Sequence, residues 1–257
     1  MTPFLADLPW PDAKARLSSG KPVFLPIGST EQHGHHMPLN VDVVLPTAIA
    51  ERAARAVGGL VAPTLAYGVQ SQPRTGGGHG FGGTINLTAH TFALVVCDVV
   101  SDLHRQGARN IVVLNGHYEN IGPAIAGIEL ALDRIGRDRL DGLTLLRIDH
   151  WELVHPETID RIFPDGYPGI ELEHASVLET SYMLALRPDL VDLSRALNDG
   201  PANFGPYDRF PRPNAGLPPS GVLSLTEGSS AEKGEWLLAD CQSKLLQLMA
   251  QEFGTTS

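Results

Sequence analysis

Cysteine is scarce. Only Cys97 and Cys241 occur among 257 residues, each inside an apolar helical pattern where a buried thiol is expected rather than a disulfide or a metal ligand. Two such residues exclude a thiolate metal centre and fit a reducing compartment. The chain also lacks any block of lysine and arginine, and its formal charge is −10, so neither nucleic acid nor an anionic membrane surface is an expected partner. No span of about 20 apolar residues is present. The stretch Met1 to Asp7 has neither the basic n-region nor the apolar core of a signal peptide, and a soluble cytoplasmic protein is expected. There is no low-complexity segment, no Gly-x-Ser-x-Gly elbow and no Cys–His nucleophile signature, which counts against covalent acyl-enzyme chemistry. The glycine-rich run Thr75 to Gly83 lacks the Gly-Lys-Ser/Thr ending of a phosphate loop. It reads either as a plain loop or as backbone approaching a small substrate.

What the chain does have is a globular balance, 42% hydrophobic and 19% charged, enough for one domain over residues 1–257. Apolar runs and helical periodicities alternate: strand 22–27, helix 43–57, a short strand near Leu60 to Pro63, helix 89–105, strand 110–114, helix 120–133 and strand 143–148. Such alternation predicts an α/β fold with a largely parallel sheet covered by helices on both faces. Gly107 and Gly136 fall where left-handed helix caps are expected. Past Trp151 the pattern predicts a helix over Glu173–Leu186, irregular chain over Asp192–Thr226 and a closing helix over Ala231–Glu252. The irregular stretch carries Pro201, Pro206, Pro211, Pro213, Pro218 and Pro219, and its length points to function or to an arm packed on another subunit.

Two acid-and-histidine clusters follow apolar strands. Glu31 and His33 stand two residues apart after the first, and His117 and Glu119 after the third, so each pair shares one side of an extended segment. Asp42 stands at the start of the following helix. Three carboxylates and two imidazoles form a mixed oxygen and nitrogen set suited to Zn²⁺ or Mn²⁺. Two ions about 3.5–4 Å apart, bridged by Asp42 and a water, would use all five and keep open positions. The plain alternative makes Glu31 and Asp42 helix caps and the histidines packed loop residues. Three consecutive ligands to one ion are excluded by crowding, so His35 and His36 are not assigned. His174 lies among several carboxylates, which suits a proton carrier, with a capping role as the alternative. His90 and His104 read as structural.

The stretches EQHGHHMPLNVDVVLPTAIAERA, TGGGHGFGGT, QGARNIVVLNGHYEN and EHASVLETSYMLALRPDLVDL resemble the creatininase family, the creatinine amidohydrolases, along nearly the whole chain. The resemblance implies a three-layer α/β/α sandwich, assembled as a homohexamer, with zinc and manganese as its ions. It implies that Glu31, Asp42 and His117 hold one ion and that His33, Asp42 and Glu119 hold the other. It further implies that Thr75, Tyr118 and Glu171 bind substrate, that His174 is the acid/base, and that Trp151 and Glu179 support it. Ile170 and Glu171 match a tryptophan and an aspartate on the family's flap, and Thr75 matches a serine. The expected activity is hydrolysis of creatinine to creatine, with a metal-bridging hydroxide attacking the ring carbonyl and His174 protonating the departing nitrogen. A related formamide or peptide amide is the alternative substrate, and a non-catalytic metal-binding protein the alternative class.

Overall fold

The structure, a computed structural model, describes residues 2–75, 78–211 and 216–255. Gly76 and Gly77 of the glycine-rich run and Pro213 of the proline-rich stretch lie outside them. Four strands, β1 (Val23–Ile27), β2 (Leu60–Val61), β3 (Asn110–Asn115) and β4 (Thr144–Asp149), pair in the order β2-β1-β3-β4, every neighbour parallel. Buried from both sides, β1 and β3 read as continuous apolar runs rather than alternating ones.

Alternate residues nonetheless feed two separate cores. Phe24, Val112 and Leu114 face one layer, which is formed by α2 (Val41–Val57), α5 (Pro156–Ile162), α6 (Val177–Leu186) and α7 (Ala231–Phe253). Val23, Leu25, Ile27, Ile111 and Val113 face the opposite layer of α1 (Trp10–Leu17), α3 (Ala89–Arg105) and α4 (Ile121–Ile135). Helices therefore cover both faces, giving the expected three-layer sandwich. Pro26 is tolerated in a central strand because β2 has already ended beside it. Its carbonyl accepts from Leu65 N (3.0 Å), so the missing N–H faces that same side, past the end of β2.

The chain moves outward from β1 through α2 to β2, then returns through α3 to β3 on β1's other side. The strand order thus reverses between β1 and β3, and open α/β sheets place ligands in the crevice at the carboxyl ends of such a pair. Cys97 and Cys241 are both free and buried. The short helices α1 and α5 were not expected from the sequence. The helix expected over 173–186 begins only at Val177. Ala175 is left-handed at φ 56°, and the Glu173 and Glu179 carboxylates accept from Leu178 N and Ala175 N, at 2.9 and 2.6 Å. Residues 173–176 therefore form the cap of α6 rather than its first turn, and angular spacing on a helix does not relate His174 to Glu179.

Candidate metal centre

Ile27 of β1 pairs in register with Asn115 of β3, and a glycine follows each strand. A Cβ on Gly28 would lie 2.1 Å from the carbonyl oxygen of Asp42, and one on Gly116 2.6 Å from it. Pro46, four residues past Asp42, has no N–H to give that carbonyl. The first turn of α2 thus settles directly onto the ends of both strands. Asp42 lies within that turn, because α2 begins at Val41 rather than Val43.

The Asp42 carboxylate divides between two imidazoles. Its Oδ1 is 3.0 Å from His33 Nε2 and its Oδ2 is 2.9 Å from His117 Nδ1. Glu31 Oε2 is 3.0 Å from the same His117 Nδ1, and Glu119 Oε2 is 3.3 Å from His117 Nε2. Ligand atoms of Glu31, Asp42 and His117 fall within 4.8 Å of one another, the trio expected for one ion. His33 groups in the same way with His174 and Glu179, while Glu119 keeps Oε2 towards His117 and its Oε1 accepts from Thr75 Oγ1 and from Gln72 N (3.2 Å). Glu31, His33, Asp42, His117 and Glu119 are all at most 5% exposed.

The chemistry of this set fits divalent cations. Three buried carboxylates converge, and their ion-pair partners among the described residues are imidazoles, not lysine or arginine. Burial opposes charge on His33, yet Asp42 and Glu179 hold its pKa well above the usual value. Burial likewise opposes charge on His117, and Glu31 and Glu119 raise it well above. Against the same burial, the imidazoles hold the Asp42 and Glu31 carboxyls below their ordinary range. The carboxylates thus demand positive charge at their centre. Among the described residues His33 Nε2, although near Asp42, makes no well-directed hydrogen bond, the geometry of atoms aimed at a common point rather than at each other.

Surrounding groups fix these side chains. Ser71 Oγ donates to Glu31 Oε1 (3.1 Å) and accepts from Gly78 N (3.0 Å), which gives part of the glycine-rich run a positioning role. Asn115 Nδ2 donates to the His117 carbonyl (2.8 Å), and Asn120 joins Val69 N (2.9 Å) to the Gly28 carbonyl (3.0 Å). Asn115 and Asn120 flank His117 and Glu119 in the chain and were within reach of sequence reasoning. Ser71 and Gln72 carry no local signal.

Thr75, Tyr118, Trp151, Ile170, Glu171 and Glu179 line one cleft of about 50 Å³ over the cluster, together with His174. Trp151 stacks near Tyr118 with centroids 6.1 Å apart. His174 Nε2 lies 2.9 Å from both the Gln32 carbonyl oxygen and the Gln32 side-chain nitrogen, so whether it donates or accepts follows the tautomer of the ring. The irregular stretch returns here: Leu223 lines the cleft and its N–H donates to the His174 carbonyl (3.1 Å). Burial pushes the Glu173 carboxyl up to about 8.

His35 is exposed, whereas His36 is buried and bonded through Nε2 to Thr180 Oγ1 on α6 (3.0 Å). Burial, with His33 beside it, lowers the His36 pKa to about 4. The folded state keeps this ring neutral while the unfolded chain protonates near 6.5, so its share of stability is lost as pH falls from 6.5 towards 4. His36→Gln should therefore show a smaller drop in Tm between pH 7 and pH 5 than the parent in thermal melts. An equal drop would remove His36 from the acid response.

The sequence profile of the creatininase family, described as creatinine amidohydrolase, matches residues 6–249. A creatinine amidohydrolase from Pseudomonas putida is 43% identical over 255 residues, covering 98% of either chain. A solved creatininase glutamate-to-glutamine mutant complexed with creatine superposes with a TM-score of 0.95 at 42% identity, covering 98% of this chain and 99% of that one. A mutant creatininase of Zn–Zn type superposes with a TM-score of 0.94, with the same identity and coverage. No helix among the described residues is long and apolar enough to cross a membrane. Matched over its length in both sequence and fold, the chain belongs to the creatininase family of amidohydrolases.

Proposed function

We propose that the chain is a binuclear metal-dependent amidohydrolase that opens a small cyclic amide, creatinine and water giving creatine. The observation that carries this reading is the division of Asp42, whose two oxygens face two different imidazoles at 3.0 and 2.9 Å. A carboxylate so placed could serve two ions at once, with Glu31 and His117 to complete one set and His33 and Glu119 the other. Zn²⁺, Mn²⁺ or one of each suits this donor chemistry. When bound, such ions acidify water towards pKa 7 and polarise a carbonyl oxygen.

The chain's own residues do the rest. Trp151 and Tyr118 flank a planar ring, Ile170 covers it, and Glu171 offers a carboxylate to the N–H groups of its guanidine portion. Thr75 holds Glu119 in place. Glu179 ties the Ala175 turn that carries His174, and the His174 imidazole delivers a proton to the ring nitrogen as its bond to the carbonyl carbon breaks. Water's oxygen joins that carbon, so carboxylate and freed nitrogen account for every atom. The chain acts as one metallohydrolase unit within a homohexamer in the cytoplasm.

Creatine release by protein reconstituted with Zn²⁺ and Mn²⁺ is the direct test. His174→Ala should keep its metal content and lose about 10²–10⁴-fold in kcat; a normal rate would remove His174 from the mechanism. Release from formyl or peptidyl amides without creatine formation would move the substrate elsewhere in amide chemistry.

A further inference from the structure

We propose that the cleft has a second compartment, behind Trp151 and Ile170, that receives an uncharged and largely apolar substituent of the amide substrate. This rests on the amidohydrolase reading above and names the class of substrate that the site would take. Over the metal cluster the cleft offers about 50 Å³. Beside it lies a cavity of about 240 Å³, and Trp151, Ile170, Glu173 and Glu179 line both spaces. The two spaces adjoin at these shared residues, so a group held over the carboxylate and histidine cluster is next to the larger space.

The far wall is apolar, with Val154, Ile159, Leu178 and the ring of Tyr182. Protein interiors close up such volumes unless something fills them. Two buried polar atoms of lining residues lack partners among the described residues: Glu173 Oε1 and His150 Nδ1, on residues each 4% exposed. The other Glu173 oxygen is held by Leu178 N at 2.9 Å, and the His150 ring is fixed edge-on against both Trp151 and Tyr182. Buried polar groups without partners are rare in folded proteins, and here both sit on residues that line one cavity. A chain of four or five atoms ending in a hydroxyl or carboxamide would bring a polar partner to this lining. The carboxyl groups of Glu152 and Glu179 on the lining exclude an anionic end. Tyr167 and Glu152, both exposed, lie at the solvent side, which leaves a longer substituent a way out.

The test compares ring homologues of creatinine carrying methyl, butyl or 4-hydroxybutyl on the methylated nitrogen, by kcat/KM on the metal-loaded full chain. The butyl compound should stay within about tenfold of the methyl one, and the hydroxyl should improve on butyl by about 2–10-fold, the range of one added hydrogen bond. Ile159→Trp, which fills the far end, should cut both long substrates about tenfold or more and spare the methyl one. Rejection of butyl by more than a hundredfold in the parent, which needs no variant, overturns the proposal, as does an equal effect of Ile159→Trp on all three. Calorimetry with N-(4-hydroxybutyl)acetamide reads the compartment without ring opening, and binding should be lost in Ile159→Trp. If that binding holds and no ring compound is opened, the activity reading fails and the compartment stands. Methyl turnover with neither butyl turnover nor this binding leaves the activity and removes the compartment.

Discussion

Asp42→Asn is expected to abolish two-ion binding and to lower kcat by about 10²–10³-fold at least, the cost of removing one strategically placed electrostatic group. The substitution is isosteric, so the packing of the first turn of α2 is retained. What changes is that one carboxylate oxygen becomes an amide nitrogen, which donates and cannot ligate. Either the His33 side or the His117 side then loses its anionic partner, since each now faces one oxygen at 3.0 or 2.9 Å. The metal-free variant also loses the charge that helps hold both imidazoles well above their usual pKa, so the two histidines should titrate closer to 6.5 when followed by NMR. Elemental analysis after mild dialysis should give one equivalent of metal or less. Two equivalents with a rate within tenfold of the parent would show that Asp42 is not the bridge.

The parts of this site that lie next to one another in the chain were readable from it. Glu31 with His33, and His117 with Glu119, stand out because two-residue spacing after a strand has a fixed geometric meaning. The sheet was readable for a similar reason: β1 and β3 are apolar on both faces, and the helices between them have clear periodicity. The helix over 173–186 was mistaken at its start because apolar spacing does not reveal a left-handed Ala175 or a carboxylate turned back onto its own helix. The short helices α1 and α5 are only 8 and 7 residues long, too brief for a periodic signal, although a proline opens the first turn of each. Ser71 was invisible for a deeper reason. Its contact with Glu31 spans 40 residues, and nothing in its neighbourhood states which carboxylate it will meet. Asn115 and Asn120, by contrast, were passed over although they flank the second cluster directly.

Gly28→Ala is the other substitution expected to have a large effect, and it acts without altering any ligand. The new methyl would sit 2.1 Å from the Asp42 carbonyl oxygen, well inside contact distance, with backbone rather than a flexible side chain as the obstacle. The first turn of α2 must lift away from β1, and Asp42 lifts with it. Overpacking of this kind costs about 1–3 kcal/mol, and a displacement near 1 Å at a catalytic group can cost about 10²-fold in rate. Gly234→Ala supplies the control, because its methyl would meet the Ser181 carbonyl at the same 2.1 Å, between α7 and α6 and away from Asp42. Both variants should melt at lower temperature. At a temperature where both remain folded, only Gly28→Ala should show weakened metal binding in a chelator competition and a lowered rate per bound ion. Equal retention of metal in the two would mean that the approach of α2 to the strand ends does not set the position of Asp42. Equal loss would trace the effect to general destabilisation. The expected asymmetry ties the missing N–H of Pro46 and the bare Cα of Gly28, neither of which touches an ion, to the placement of the carboxylate between the two histidines.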